Sequence, residues 1–119
     1  MIREAEVKDL ISNGIPELEV ELSHIPVRTS AFKSIDCLTT YTKDLIRHGE
    51  TARVELCFKT AYKLLHQGSS LVQLAITNIF VFSVSHLLEG SLTVAQPIRV
   101  SFLRNFGEEY SHQISSQLP

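Results

Sequence analysis

The sequence predicts an all-α protein of five or six helices, one domain spanning residues 1–119. Three observations carry that reading. Gly49, Gly68 and Gly90 each follow a helix-like end (DLIRH, KLLHQ, HLLE), the place of a residue that stops a helix. Apolar residues between these stops recur at helical rather than alternating spacing. A long apolar stretch, LLHQGSSLVQLAITNIFVFSVSHLL, has no Asp, Glu, Lys or Arg between Lys63 and Glu89. It predicts a buried central helix over about 71–88, with the other helices packed around it.

The elements follow in chain order. Met1 to Asn13 reads as a short helix stopped by Gly14. Residues 16–25, PELEVELSHI, alternate apolar and acidic, which favours a strand, but no other segment alternates well enough to pair with it. Leu18, Leu22 and Ile25 also form a helical face, Pro16 suits a first turn and Pro26 a stop, so helix is the reading taken over strand. Thr29 or Ser30 caps a helix from Ala31 to His48 that carries Phe32, Ile35, Leu38, Tyr41 and Leu45 on one face. Arg47 and His48 complement its C-terminal dipole.

Glu50 or Thr51 opens the next helix, through His66. Val54, Cys57, Phe58, Ala61 and Leu65 face one way and Arg53, Lys59 and Lys63 the other, with Glu55 to Lys59 at favourable spacing. Ser70 and Gln73 predict a capping box for the central helix. Its Leu74, Val81 and Leu88 share one flank, and Val72, Ile76 and Ile79 another. Pro97 opens the last helix, where Ile98, Phe102, Phe106, Tyr110 and Ile114 repeat every four residues. Gly107 marks a bend and 115–119 a frayed tail. The glycine stops recur at intervals near that of one helix, so a short HEAT- or armadillo-like hairpin stack is the alternative to a bundle.

Composition bounds function. Hydrophobic residues are 44% and charged residues 20% of the chain, as in a globular domain. The net charge of −2 lacks the basic footprint of a nucleic-acid binder. The N-terminal MIREAEVKDLI is charged throughout, without the apolar core of a secretory leader, so Cys37 and Cys57 read as reduced thiols in a cytoplasmic protein. Residues 71–88 are long enough to span a bilayer. They include Gln73, Thr77, Asn78, Ser83, Ser85 and His86, polar groups that one lone helix cannot satisfy in lipid, and no membrane association is expected.

Chemical motifs are sparse. Glu21 with His24, and Glu109 with His112, are two Glu-x-x-His pairs of the kind that supply half the ligands of a di-iron centre. Glu55 and Glu89 are the candidates to complete it. Such a metal- or pocket-based enzyme is the alternative reading, weakened because both pairs lie near segment ends. His48, Cys57 and His66 lack the short local spacing of a zinc site. Cys57 lies on an apolar face, and Cys37 sits beside Asp36, which raises rather than lowers a thiol pKa. Asn78, Ser85 and His86 form a polar cluster in an otherwise apolar helix. No nucleophile elbow, phosphate loop or dinucleotide fingerprint occurs. The expectation is therefore no catalytic residue, no metal and no cofactor.

PEL at 16–18, the run FKTAYKLLHQGSSLVQLAI at 58–76, FVFS at 80–83 and the terminal aromatic helix together resemble a family of small all-helical bacterial proteins known as a domain of unknown function. The matching positions are Phe58, Ala61, Leu64, Leu65, Gly68, Val72 and Ile76, apolar and turn residues that imply a fold. The resemblance implies accessory or immunity-type proteins of toxin systems and brings no catalytic residues. The expected activity is thus to bind another protein, or a second copy as a homodimer. Val100, Leu103 and Tyr110 of the last helix are the expected contact residues, because Val100 and Leu103 point away from its aromatic stripe.

Overall fold

A computed structural model describes residues 1–26 and 30–117, with side chains to Ile114. Six helices form: α1 (Val7–Gly14), α2 (Glu19–Ser23), α3 (Ser30–Arg47), α4 (Thr51–Gln67), α5 (Ser70–Gly90) and α6 (Gln96–Gln117). Short 3₁₀ turns, Glu4–Glu6 and Pro16–Leu18, precede α1 and α2. No strand occurs among the described residues; residues 16–23 are helical and 24–25 a turn, with Leu18 and Leu22 buried. Thr29, one of the two caps expected for α3, lies outside the described residues, as do 118–119 of the expected frayed tail.

The molecule measures 36 × 33 × 19 Å. Its thin dimension is about two helix diameters, so the fold is two helices deep. The arrangement is a bundle rather than a hairpin stack. α4 packs against α1, α3, α5 and α6, elements from both ends of the chain, whereas a solenoid repeat touches only its neighbours.

The centre of the core is on α4. Phe58 is fully buried, and its ring meets those of Phe80, Phe102 and Phe106 at 6.2, 6.0 and 5.6 Å, all edge-on. Edge-to-face contacts at these separations are favourable beyond the area they bury. Val54, Cys57 and Ala61 extend the same face with no exposure and Leu65 is buried too, as the spacing predicts; Leu64, outside the expected stripe, is buried with them.

α5 is apolar all round but is core on one face only. Val72, Ile76, Phe80, Val81, Val84 and Leu88 are buried, while Leu71, Leu74 and Phe82 are 50%, 55% and 41% exposed. The reason is a π-helical segment, Ile76–Val81, inside the helix. Its wider turn takes an extra residue and rotates everything beyond it by about 100° relative to an unbroken α-helix. Leu74 and Val81 therefore part company, although their spacing places them on one flank; Val81 and Leu88, both past the segment's widest turns, stay together.

The glycine stops are not one device. Only Gly49 is left-handed, with φ of +69°. There the Glu50 amide donates to Leu45 O and the Gly49 amide to Ile46 O, the paired bonds of a Schellman end. Gly68 is extended, and what it requires is space: a Cβ there would overlap the Leu64 carbonyl oxygen and lie 2.5 Å from Val72 Cγ1. The chain start is clipped beside it. Ile2 donates to Gln67 O (2.6 Å) and accepts from the Ser69 amide (2.7 Å). The α5 cap is Ser69, one residue before the expected Ser70; its Oγ accepts from the Val72 amide at 3.3 Å and donates to Glu4.

α3 departs from its expected face at its first turn. Phe32 is 47% exposed, and Ser34, Thr39 and Thr42 take buried positions instead. Thr39 and Thr42 bond back to the Ile35 and Leu38 carbonyls at 2.7 Å, so their hydroxyls are satisfied inside the core.

Candidate interaction surface

α6 is built from its inner face outwards. Ile98, Ser101, Phe102 and Phe106 are buried, and Phe102 and Phe106 complete the aromatic cluster around Phe58. Arg99 ties the start of α6 to the end of α5: its guanidinium donates to Leu88 O and Ser91 O, carbonyls that a helix end otherwise leaves unpaired. The helix bends at Phe106, whose φ of −131° and ψ of 17° are not helical, one residue before the expected Gly107. Just before the bend the Asn105 side-chain amide donates to Ser101 O at 2.8 Å, competing for a carbonyl of the helical ladder.

The outer face carries Val100 and Leu103, 50% and 54% exposed, then Gly107 and Ile114, the latter 39% exposed. A Cβ at Gly107 would meet nothing within 4 Å. Tyr110 is half-buried beneath this row. Its ring stacks edge-on at 6.0 Å to Phe102, and its hydroxyl donates to Glu89, a bond that with burial raises the phenol above its ordinary pKa. Between Leu103 and the end of α5 lies a pocket of about 220 Å³ lined by Leu88, Glu89, Arg99, Phe102 and Tyr110 among others. On the other flank Arg104 reaches Glu55 of α4 at 3.8 Å, both groups well exposed. Glu55 is thus paired across helices, not with Lys59 as its spacing suggests.

The remaining candidates are dispersed. Glu21 and His24 are exposed at the end of α2 and linked only through backbone, the His24 amide to Glu21 O at 3.2 Å. The Glu21 carboxylate accepts from Cys37 Sγ at 3.5 Å, and burial together with Glu21 pushes that thiol up to about 11. Glu109 is half-buried and His112 exposed on α6. Among the described residues no three or more His, Cys, Asp or Glu side chains gather as a metal site. Cys57 is fully buried, its thiol also near 11 through desolvation, while His48 bonds Asp44 O at its helix end and His66 stacks on Tyr62. Of the Asn78, Ser85 and His86 cluster only Ser85 is buried, donating to Phe82 O at 2.8 Å; Asn78 and His86 face outward. A cleft of about 580 Å³ between α1 and α4 mixes Glu6 and Asp9 with Lys59 and Lys63.

The fold and this surface define a small helical domain with a bent, partly apolar outer helix. Residues 7–115 match the domain of unknown function DUF7674, and the chain belongs to that family. No curated protein and no solved structure matches it. α5, 21 residues with an 18-residue stretch of mean hydropathy 1.8, is long and apolar enough by length and composition to cross a membrane; 44% of that stretch is buried inside the molecule.

Proposed function

We propose that the protein is a non-enzymatic interaction module that binds a partner protein through the outer face of α6, in the manner of an accessory or immunity-type protein in the cytoplasm. The observation that supports this is the pair Val100 and Leu103, each about half exposed on a helix whose inner face is fully used in the aromatic core. Single exposed apolar residues are ordinary, whereas a run of them beside an apolar pocket marks a contact surface. The pocket gives that surface relief, and Arg104 and Glu108 give it a polar rim, the usual anatomy of a non-obligate interface.

The test is site-specific photo-crosslinking in cells of origin. A photoreactive residue in place of Leu103 is expected to yield one discrete protein conjugate, and the same residue in place of the exposed Thr40 on α3 none. Absence of any conjugate from position 103, or equal labelling from both positions, overturns the reading.

A further inference from the structure

We propose that the partner is a second copy of this chain, packed antiparallel across α6 about a two-fold axis; this rests on the interaction surface just described. Three features of that surface select the occupant. Val100, Leu103 and Ile114 are exposed and Gly107 between them is partly exposed, positions spaced by three, four and seven on either side of the bend at Phe106, the spacing of a seam that meets another helix rather than a strand or a loop. Gly107 sits within the seam with no side chain, and nothing stands within 4 Å of its Cβ direction, so a second backbone can approach there. A helix partner must also match the charges beside the seam, and these are Arg104 and Glu108, one turn apart on the same flank.

Charge decides the direction. In an antiparallel pair the same flank of each helix faces its counterpart, running the opposite way. Arg104 of one copy then lies opposite Glu108 of the other, and the pair occurs twice. A parallel pair would set that flank against the side of the seam that carries Glu89 and Arg99, groups already engaged within the chain, Glu89 by the Tyr110 hydroxyl and Arg99 by the Leu88 and Ser91 carbonyls. Within the chain Arg104 holds Glu55 only at 3.8 Å, and Glu108 is in no ion pair among the described residues, so both are available. The pocket of about 220 Å³ lies on the opposite flank, beside Leu103 itself. Cavities of ~150 Å³ already hold a benzene-sized group. Leu103 of each copy therefore has a socket in the other, the self-complementary exchange that two-fold symmetry demands.

The experiment is sedimentation of the purified full chain across a concentration series, with charge reversals. The wild type is expected to pass from monomer to dimer as concentration rises. Leu103→Glu should hold it monomeric, because a carboxylate enters an apolar socket. Arg104→Glu or Glu108→Arg alone should weaken the dimer by roughly tenfold or more, since each places two like-charge pairs across the axis. The double reversal should restore wild-type association, which a merely structural lesion would not do. All three substituted positions are exposed, and unchanged melting curves verify the fold. A monomer at every concentration, or a dimer indifferent to Leu103→Glu, overturns the proposal, as does a double reversal no better than the singles. The crosslink at position 103 separates the two failures: a foreign protein there leaves the interaction surface standing without the dimer, and no conjugate removes both.

Discussion

α4 and α5 lie side by side and carry opposite sequence characters. α4 has a charged or strongly polar residue on every turn, yet its Phe58 is the ring that every other core ring but Tyr110 touches. α5 has no charge before Glu89, yet leaves Leu71, Leu74 and Phe82 in contact with solvent. The contrast teaches that burial follows the period of the apolar residues and not their abundance. A strict helical stripe such as Val54, Phe58, Ala61 and Leu65 can face only one way, and the fold closes on it. A helix apolar all round states no preference, and its buried face is set by what packs against it.

The sharpest way to break this comparison is a pair of truncations. Phe58→Ala is expected to cost about 3–5 kcal/mol, as for other buried aromatic residues, a large part of a small domain's stability. Phe82→Ala on α5 should cost less than about 1 kcal/mol, because Phe82 is 41% exposed and its ring stacks on the exposed His86, centroids 4.4 Å apart. Chemical denaturation of both variants gives the ranking; equal losses would mean that α5 is as much the centre as α4. Phe80→Ala should fall with Phe58→Ala, since Phe80 is fully buried against it.

The same contrast explains what could be read from the sequence. The all-α class, the single core, the helical nature of 16–23 and the fully buried Phe80 and Val81 were all legible, because local periodicity and turn residues determine them. The outward turn of Leu74 was not, because one extra residue in the π segment rotates a face without leaving a signal in composition. Phe32 was misplaced because the buried face of α3 runs through Ser30, Ala31 and Ser34 in that same turn, which leaves Phe32 on the rim of the stripe. Of the candidate surface, the outward direction of Val100 and Leu103 was legible from the stripe opposite them. The pocket beside Leu103 was not, since it depends on Arg99 drawing α6 onto the end of α5 through backbone carbonyls.

The joint between the two helices sharpens the comparison further. Gly68 is needed there for room, since its position admits no Cβ beside Leu64 O and Val72. Gly68→Ala is expected to destabilise by about 1–3 kcal/mol, the usual cost of forcing an atom into packed space. Gly49→Ala, strained by its φ of +69° but open around its Cβ, should cost about 1 kcal/mol. Thermal melts of the two variants separate crowding from backbone strain; a larger loss at Gly49 would show that the joint yields more readily than its contacts indicate.

A comparably small effect is expected one residue further on. Ser69 caps α5 through the Val72 amide and at the same time donates to Glu4, on the segment that Ile2 clips to the α4–α5 joint. Ser69→Ala should lose about 1 kcal/mol, the common cost of an N-cap. Ser69→Asp keeps a capping acceptor and adds a charge favoured at a helix N-terminus, but sets it against the Glu4 carboxylate. If the cap dominates, Asp restores most of what Ala loses. If the tie to the chain start dominates, Asp is worse than Ala, and hydrogen exchange at the Ile2 amide, bonded to Gln67 O at 2.6 Å, should quicken in parallel. α5 begins in a crowded joint but is exposed from its first residues, Ser70 and Leu71, so the cap is expected to dominate.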